Sequence, residues 1–127
     1  MQTEPIINNY LFKWMGCPNA FTSEECDRIL NLPGDFSDSH IITQEGTSHA
    51  LLPNIRNSNF KDIPYIPENE WILERLFHQA SLANYMFYKF ELRELRGAQI
   101  LRYTEDQFYD WHTDLVEGIA STRKLSM

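Results

Sequence analysis

The sequence predicts an α+β fold, because helical patterns and extended patterns occupy different parts of the chain. A helix-capping motif begins at residue 22, and apolar residues recur at helical spacing over residues 68–85. From residue 98 onward the pattern changes to that of strands. A length of 127 residues allows one domain at most, and we assign residues 1–127 to it.

The first predicted elements are a strand and a capped helix. Residues 10–15 alternate loosely between apolar and polar side chains, which indicates a strand. Thr22 and Glu25 have the spacing of a capping box, in which each side chain hydrogen-bonds the other residue's backbone N–H. The helix that follows is predicted to end near the Leu-Pro-Gly sequence at residues 32–34.

The middle of the chain combines an irregular segment with a long helix. Residues 35–67 are rich in Ser, Asn, Asp and Pro, which predicts short strands joined by loops. Over residues 68–85, apolar side chains recur every three or four positions and predict an amphipathic helix. His78 lies beside this apolar stripe, and we expect a surface or hydrogen-bonded histidine rather than a metal ligand.

The last third is predicted to form strands. A strand, a turn and two further strands are expected in order, over residues 98–103, 104–107, 108–114 and 123–127. Because neighbouring side chains of a strand face opposite sides, His112 and Asp114 would share one face. Tyr109 and Trp111 would then pack on the other face of the sheet.

The most informative motif is the His-x-Asp pair formed by His112 and Asp114. Residues two apart in a strand lie about 6–7 Å apart, so an imidazole nitrogen and a carboxylate oxygen can converge on one metal ion. Two His and one carboxylate form the facial triad of Fe(II) oxygenases, which leaves coordination positions open. The alternative is a strand histidine that hydrogen-bonds a neighbouring carboxylate, and the pair alone favours this alternative.

The surroundings of the pair resemble the 2-oxoglutarate- and Fe(II)-dependent dioxygenases, and most closely their prolyl 4-hydroxylase-like hydroxylase branch. In this branch a strand ending in Tyr, a turn, an aromatic-x-x-His-x-Asp strand and an Arg-x-Leu-Ser strand follow one another. The matching segments here are residues 99–103, 108–114 and 123–126. The resemblance implies the N-terminal part of a double-stranded β-helix, or jelly roll, with supporting helices.

The resemblance also implies roles for individual residues. His112 and Asp114 would bind Fe(II), and Tyr103 would either hydrogen-bond the cosubstrate 2-oxoglutarate or fill the core. Ascorbate is a further candidate cofactor. Arg123 matches a recurring position without a defined role, and Arg56 would lie near the substrate entrance or in a solvated loop. The implied reaction is hydroxylation of a small molecule or of a protein side chain.

The sequence also departs from the family pattern. In the family, a distal His and then an Arg or Lys that binds the far carboxylate of 2-oxoglutarate follow His-x-Asp, but this sequence ends first. The other histidines, His40, His49 and His78, precede the motif and do not match that ligand. We therefore expect an apparently truncated domain. The alternative is an inactive interaction or metal-binding module whose unpaired strands could pair with another chain.

Charge and composition restrict the partners. The formal net charge of −7 disfavours nucleic acids and anionic membranes as main partners, because both attract basic surfaces. No apolar run approaches the ~20 residues that span a bilayer, and no basic signal-peptide region begins the sequence. We expect a cytoplasmic protein. Two cysteines outside any Cys-x-x-Cys motif argue against a disulfide framework and against a structural zinc site.

Overall fold

A computed structural model describes residues 6–8, 14–42, 49–114 and 122–127. These residues form a mixed α and β structure with two α-helices and small antiparallel sheets. The strands are β1 (Ile6–Asn8), β2 (Trp14–Gly16), β3 (Ser37–Asp38), β4 (Ile41–Ile42), β5 (His49–Ala50), β6 (Arg56–Asn57), β7 (Asn59–Ile63), β8 (Ala98–Arg102) and β9 (Phe108–Tyr109). The helices are α1 (Ser23–Leu30) and α2 (Glu70–Ala83). None of the described helices is long and apolar enough to cross a bilayer.

The chain divides into two compact units. The first unit comprises Met1–Leu32 and Pro64–Arg96, and it contains both helices and the β1–β2 pair. The second comprises Pro33–Ile63 and Gly97–Met127, and it contains the remaining strands. The predicted strand over residues 10–15 falls partly outside the described residues, and its described end belongs to β2.

The predicted capping box at the start of α1 is confirmed. The Thr22 hydroxyl accepts a hydrogen bond from the Glu25 backbone N–H at 3.2 Å, and the Glu25 carboxylate accepts one from the Thr22 backbone N–H at 2.9 Å. Both backbone groups lack partners within the helix, so this exchange satisfies two orphan donors. The helix ends at Leu30, slightly before the predicted end.

The predicted long helix is also confirmed, with changed ends. A 3-10 turn over Pro67–Asn69 precedes α2, and a π-helical turn over Asn84–Tyr88 follows it. Ile72 is 1% exposed and is the most deeply buried large side chain in the described residues. His78 is exposed on this helix, as expected for a histidine beside the apolar stripe.

Arg75 connects α2 to α1 within the first unit. Its guanidinium donates to both oxygens of the Glu25 carboxylate, at 2.9 and 3.0 Å, and to the Ala20 carbonyl at 2.8 Å. The same guanidinium lies 5.2 Å from the centre of the Phe21 ring. The planar fork of Arg suits this two-pronged contact, which fixes α1 against α2.

The second unit is built around the antiparallel sheet β3-β7-β8. Lys61 of β7 pairs with Ile100 of β8, and Ile63 and Ile100 are both buried. The predicted strand over residues 98–103 is thus confirmed as β8, one residue shorter. Among its described residues the second unit also contains two further antiparallel pairs, β4–β5 and β6–β9.

Two of the predicted strands are corrected. The strand predicted over residues 108–114 ends at Tyr109, because the Asp110 side chain accepts a hydrogen bond from the Trp111 backbone N–H at 2.8 Å and turns the chain. Trp111 is 100% exposed and does not pack on a sheet. The final strand predicted over residues 123–127 is wrong, since residues 122–127 contain no strand.

Candidate metal centre

His112 and Asp114 lie side by side at a cleft in the second unit. The cleft has a volume of about 210 Å³ and is lined by Ile41, Ile55, Tyr109, His112, Thr113, Asp114 and Arg123. The Nε2 atom of His112 is 3.4 Å from Oδ1 of Asp114. The two donors therefore come together as the sequence predicts, although a bend after β9 rather than a continuous strand brings them there.

One hydrogen bond determines which nitrogen of His112 carries the proton. The Nδ1 atom lies 2.7 Å from the backbone carbonyl oxygen of Asp110. A carbonyl oxygen only accepts hydrogen bonds, so Nδ1 is the protonated nitrogen in this contact. In the neutral ring Nε2 then carries the lone pair, and Nε2 is the ring nitrogen that lies 3.4 Å from Oδ1 of Asp114.

The resulting pair has the donor chemistry of a metal site. A lone pair on Nε2 and a carboxylate oxygen at 3.4 Å repel each other unless a proton or a cation lies between them. Two ligands about 2.1 Å from a metal at right angles are about 3.0 Å apart, which is close to the observed separation. Both donors belong to the ligand types of Fe(II) sites, so the pair fits two adjacent ligand positions.

The described residues supply two such ligands and no third. No group of three His, Cys, Asp or Glu side chains that could hold a metal ion occurs in the described part of the chain. The His40 ring makes a T-shaped contact with the Phe60 ring, and His49 lies in β5. Neither of them lines the cleft, and His78 belongs to the first unit.

Arg123 holds the carboxylate side of the cleft. Its guanidinium donates to the backbone carbonyl of Asp114 at 3.0 Å and lies 3.9 Å from Oδ1 of the same residue. About half of each side chain is exposed, so the ion pair itself contributes little stability. The bond to the backbone carbonyl connects Arg123 to the residue that presents the carboxylate.

Tyr109 and Arg56 support the imidazole side of the cleft. The Tyr109 ring stacks on the His112 ring with 3.5 Å between centroids and 11° between planes, and the Arg56 guanidinium lies 4.5 Å from the Tyr109 centroid. The pattern of alternation placed Tyr109 on the opposite face from His112, and that expectation is wrong. His112 reaches the Tyr109 ring because the chain bends after β9 instead of continuing as a strand. The contact of Arg56 with Tyr109 comes from the pairing of β6 with β9, a register that no local sequence pattern predicts.

Tyr103 stands apart from the cleft. It follows the last residue of β8, 45% of it is exposed, and it does not line the cleft. The structure thus brings His112, Asp114 and Arg123 together and leaves Tyr103 outside this group.

Comparison with known proteins gives no assignment, because no family model, no curated protein and no solved structure matches the chain.

Proposed function

We propose that this chain is part of a cytoplasmic 2-oxoglutarate- and Fe(II)-dependent hydroxylase of the prolyl 4-hydroxylase-like type, with His112 and Asp114 as two of its metal ligands. The observation that carries the proposal is the 3.4 Å approach of His112 Nε2 to Asp114 Oδ1 at a cleft. When bound, Fe(II) and 2-oxoglutarate would reduce and activate molecular oxygen, the oxidant that hydroxylates an unactivated C–H bond.

Two contacts beside the proposed ligands support the proposal. The Asp110 carbonyl keeps the proton of His112 on Nδ1, which leaves Nε2 available as a ligand. Arg123 anchors the backbone of Asp114 and so holds its carboxylate beside the imidazole. A contact of Tyr103 with 2-oxoglutarate stays part of the proposal on the sequence resemblance alone. The proposed fold is the first part of a jelly roll, for which the small antiparallel sheets offer compatible strands.

A second candidate is a module that binds a metal or a partner chain without turnover. The described residues bring together two side-chain ligands rather than three, which favours binding without catalysis. Among the described residues, β8 is an edge strand of the three-stranded sheet. The backbone N–H and C=O groups on its outer side are therefore suited to pairing with a strand of another chain. This candidate keeps His112 and Asp114 as ligands and removes the cosubstrate.

Anaerobic titration with Fe(II), followed by 2-oxoglutarate, tests the proposal. We expect Fe(II) to bind, and 2-oxoglutarate to add the visible charge-transfer absorption of a chelated keto acid. His112→Ala and Asp114→Ala should each weaken Fe(II) binding by at least about tenfold, because each removes one ligand. His78→Ala is the matched control, since that histidine is exposed and lies in the first unit.

The outcomes separate the two candidates. Admission of oxygen, with ascorbate present to keep the iron reduced, should convert 2-oxoglutarate to succinate if the chain is a hydroxylase. Fe(II) binding that depends on His112 but shows no effect of 2-oxoglutarate would favour the module. An Fe(II) affinity that His112→Ala leaves unchanged would reject the hydroxylase and the metal-binding form of the module.

A further inference from the structure

We infer that Arg56 is a positioning residue of the cleft, which acts through the ring of Tyr109 to set the orientation of the His112 imidazole. The inference rests on the proposed role of His112 as a metal ligand. Arg56 does not line the cleft. Its guanidinium and the His112 ring contact the same partner, the Tyr109 ring, at 4.5 and 3.5 Å from the centroid.

The guanidinium of Arg56 is held at a fixed place. Its Nε–H donates to the Ser58 hydroxyl at 3.2 Å, and one terminal N–H donates to the His40 carbonyl at 3.1 Å. Ser58 is 3% exposed, and its hydroxyl donates to the hydroxyl of Ser39, which is also buried. The backbone N–H of Ser39 donates in turn to the Ser58 carbonyl at 2.9 Å. Arg56 is thus bonded to a buried, internally paired part of the second unit.

The backbone brings Tyr109 onto this fixed guanidinium. Arg56 of β6 pairs directly with Tyr109 of β9, so their side chains lie on the same face of the two-stranded ladder. The next residue, Asp110, extends the pairing, because its N–H donates to the Ile55 carbonyl at 2.8 Å. A guanidinium is attracted to the face of a phenol ring, and this attraction favours one orientation of the Tyr109 ring.

His112 needs this support because few other contacts orient its ring. About one-third of its side chain is exposed, and the bond from Nδ1 to the Asp110 carbonyl is made to a carbonyl only two residues away. Rotation of the imidazole would move Nε2 away from Asp114 while the backbone stays in place. The parallel ring of Tyr109 opposes this rotation.

Arg56→Met and Arg56→Lys test the inference, with Co(II) as the metal probe. Neither replacement can stack a plane on Tyr109 and donate to Ser58 and His40 at once. We expect Co(II) affinity to fall about two- to fivefold in both, the factor that corresponds to the loss of one exposed cation–π contact. Tyr109→Leu should have the same effect, whereas Tyr109→Phe keeps the ring and should restore nearly normal affinity.

Arg102→Met is the matched control. The Arg102 guanidinium lies 4.1 Å from the Phe36 centroid in the same unit, but neither residue lines the cleft. Its loss removes a comparable cation–π contact and should leave Co(II) affinity unchanged. Normal affinity in Arg56→Lys and Tyr109→Leu, together with loss in His112→Ala, would overturn the inference while the proposed metal site stands.

A metal-free measurement makes the inference independent of the proposed function. Ring current from Tyr109 should shift the proton resonances of the His112 ring in NMR spectra of the metal-free chain. The shift should persist in Tyr109→Phe and in Arg102→Met, and it should shrink in Arg56→Lys and Tyr109→Leu. If Arg56→Lys keeps the full shift, Arg56 does not position His112, whether or not the chain binds Co(II).

Discussion

Thr22 is the N-cap residue of α1. Its hydroxyl accepts a hydrogen bond from the Glu25 backbone N–H, and its own backbone N–H donates to the Glu25 carboxylate. Thr22→Ala removes the hydroxyl and should lower the free energy of unfolding by about 1 kcal/mol. Thr22→Ser keeps a capping oxygen and should lower it far less. Urea denaturation followed by circular dichroism measures both variants, and equal losses in the two would contradict the capping role.

The stability that Glu25 gives to the start of α1 depends on pH. Hydrogen bonds from the Arg75 guanidinium, and then from the Thr22 backbone N–H, hold the pKa of the Glu25 carboxyl below its ordinary value. Since the folded chain prefers the ionised form, the stabilisation is present above the unfolded pKa of about 4.3. It is lost as the pH falls through the lower pKa of the folded chain.

Glu25→Gln isolates this charged contribution, because Gln also completes a capping box but cannot ionise. The variant should have a lower urea midpoint than the original chain near pH 7, where Glu25 is ionised. The difference should shrink at a pH below the folded pKa of Glu25, where both side chains are neutral. Parallel urea titrations at neutral and acidic pH measure it, and a gap of constant size would exclude a role for the Glu25 charge.

At the scale of elements, α2 contributes two buried apolar side chains to the first unit, Ile72 and Leu73. Ile72→Ala leaves a cavity at a position 1% exposed, and such changes cost about 2–5 kcal/mol. His78→Ala changes an exposed position of the same helix and should alter stability by less than about 0.5 kcal/mol. Thermal unfolding of both variants measures these changes in stability. A small loss of stability in Ile72→Ala would mean that the buried face of α2 does not hold the helix in place.

The same elements show which structure a sequence can predict. The capping box and the helical period were predictable because each depends on residues within one or two turns. The length of β9 was not, because the Asp110 side chain bonds the next backbone N–H instead of continuing the strand. Proximity of His112 and Asp114 followed from their spacing, whereas the contact of Arg56 with Tyr109 depends on the register of β6 with β9, more than 50 residues later.

At the scale of the whole molecule, net charge affects how any metal site can be detected. A formal charge of −7 raises the concentration of cations around the entire surface. Salt screens this attraction of cations over about 8–10 Å at physiological ionic strength, and the attraction acts on both units. A metal held by His112 and Asp114 instead acts on the second unit, to which both residues belong.

Hydrogen exchange with Mn(II) as the probe distinguishes these two effects. Binding to the folded site alone stabilises it against opening by about 2.7 kcal/mol at a free Mn(II) concentration 100 times the dissociation constant. The Asp110 amide, bonded to the Ile55 carbonyl in the second unit, should therefore exchange more slowly with Mn(II) if its exchange requires an opening that disrupts the site. The Cys26 amide, bonded to the Thr22 carbonyl in the first unit, is the internal control and should keep its rate if the units open independently.

Mg²⁺ at equal ionic strength controls for the cations attracted to the surface, and His112→Ala should abolish the Mn(II) effect. Equal protection of both amides, or protection that survives in His112→Ala, would assign the effect to surface charge rather than to the proposed site.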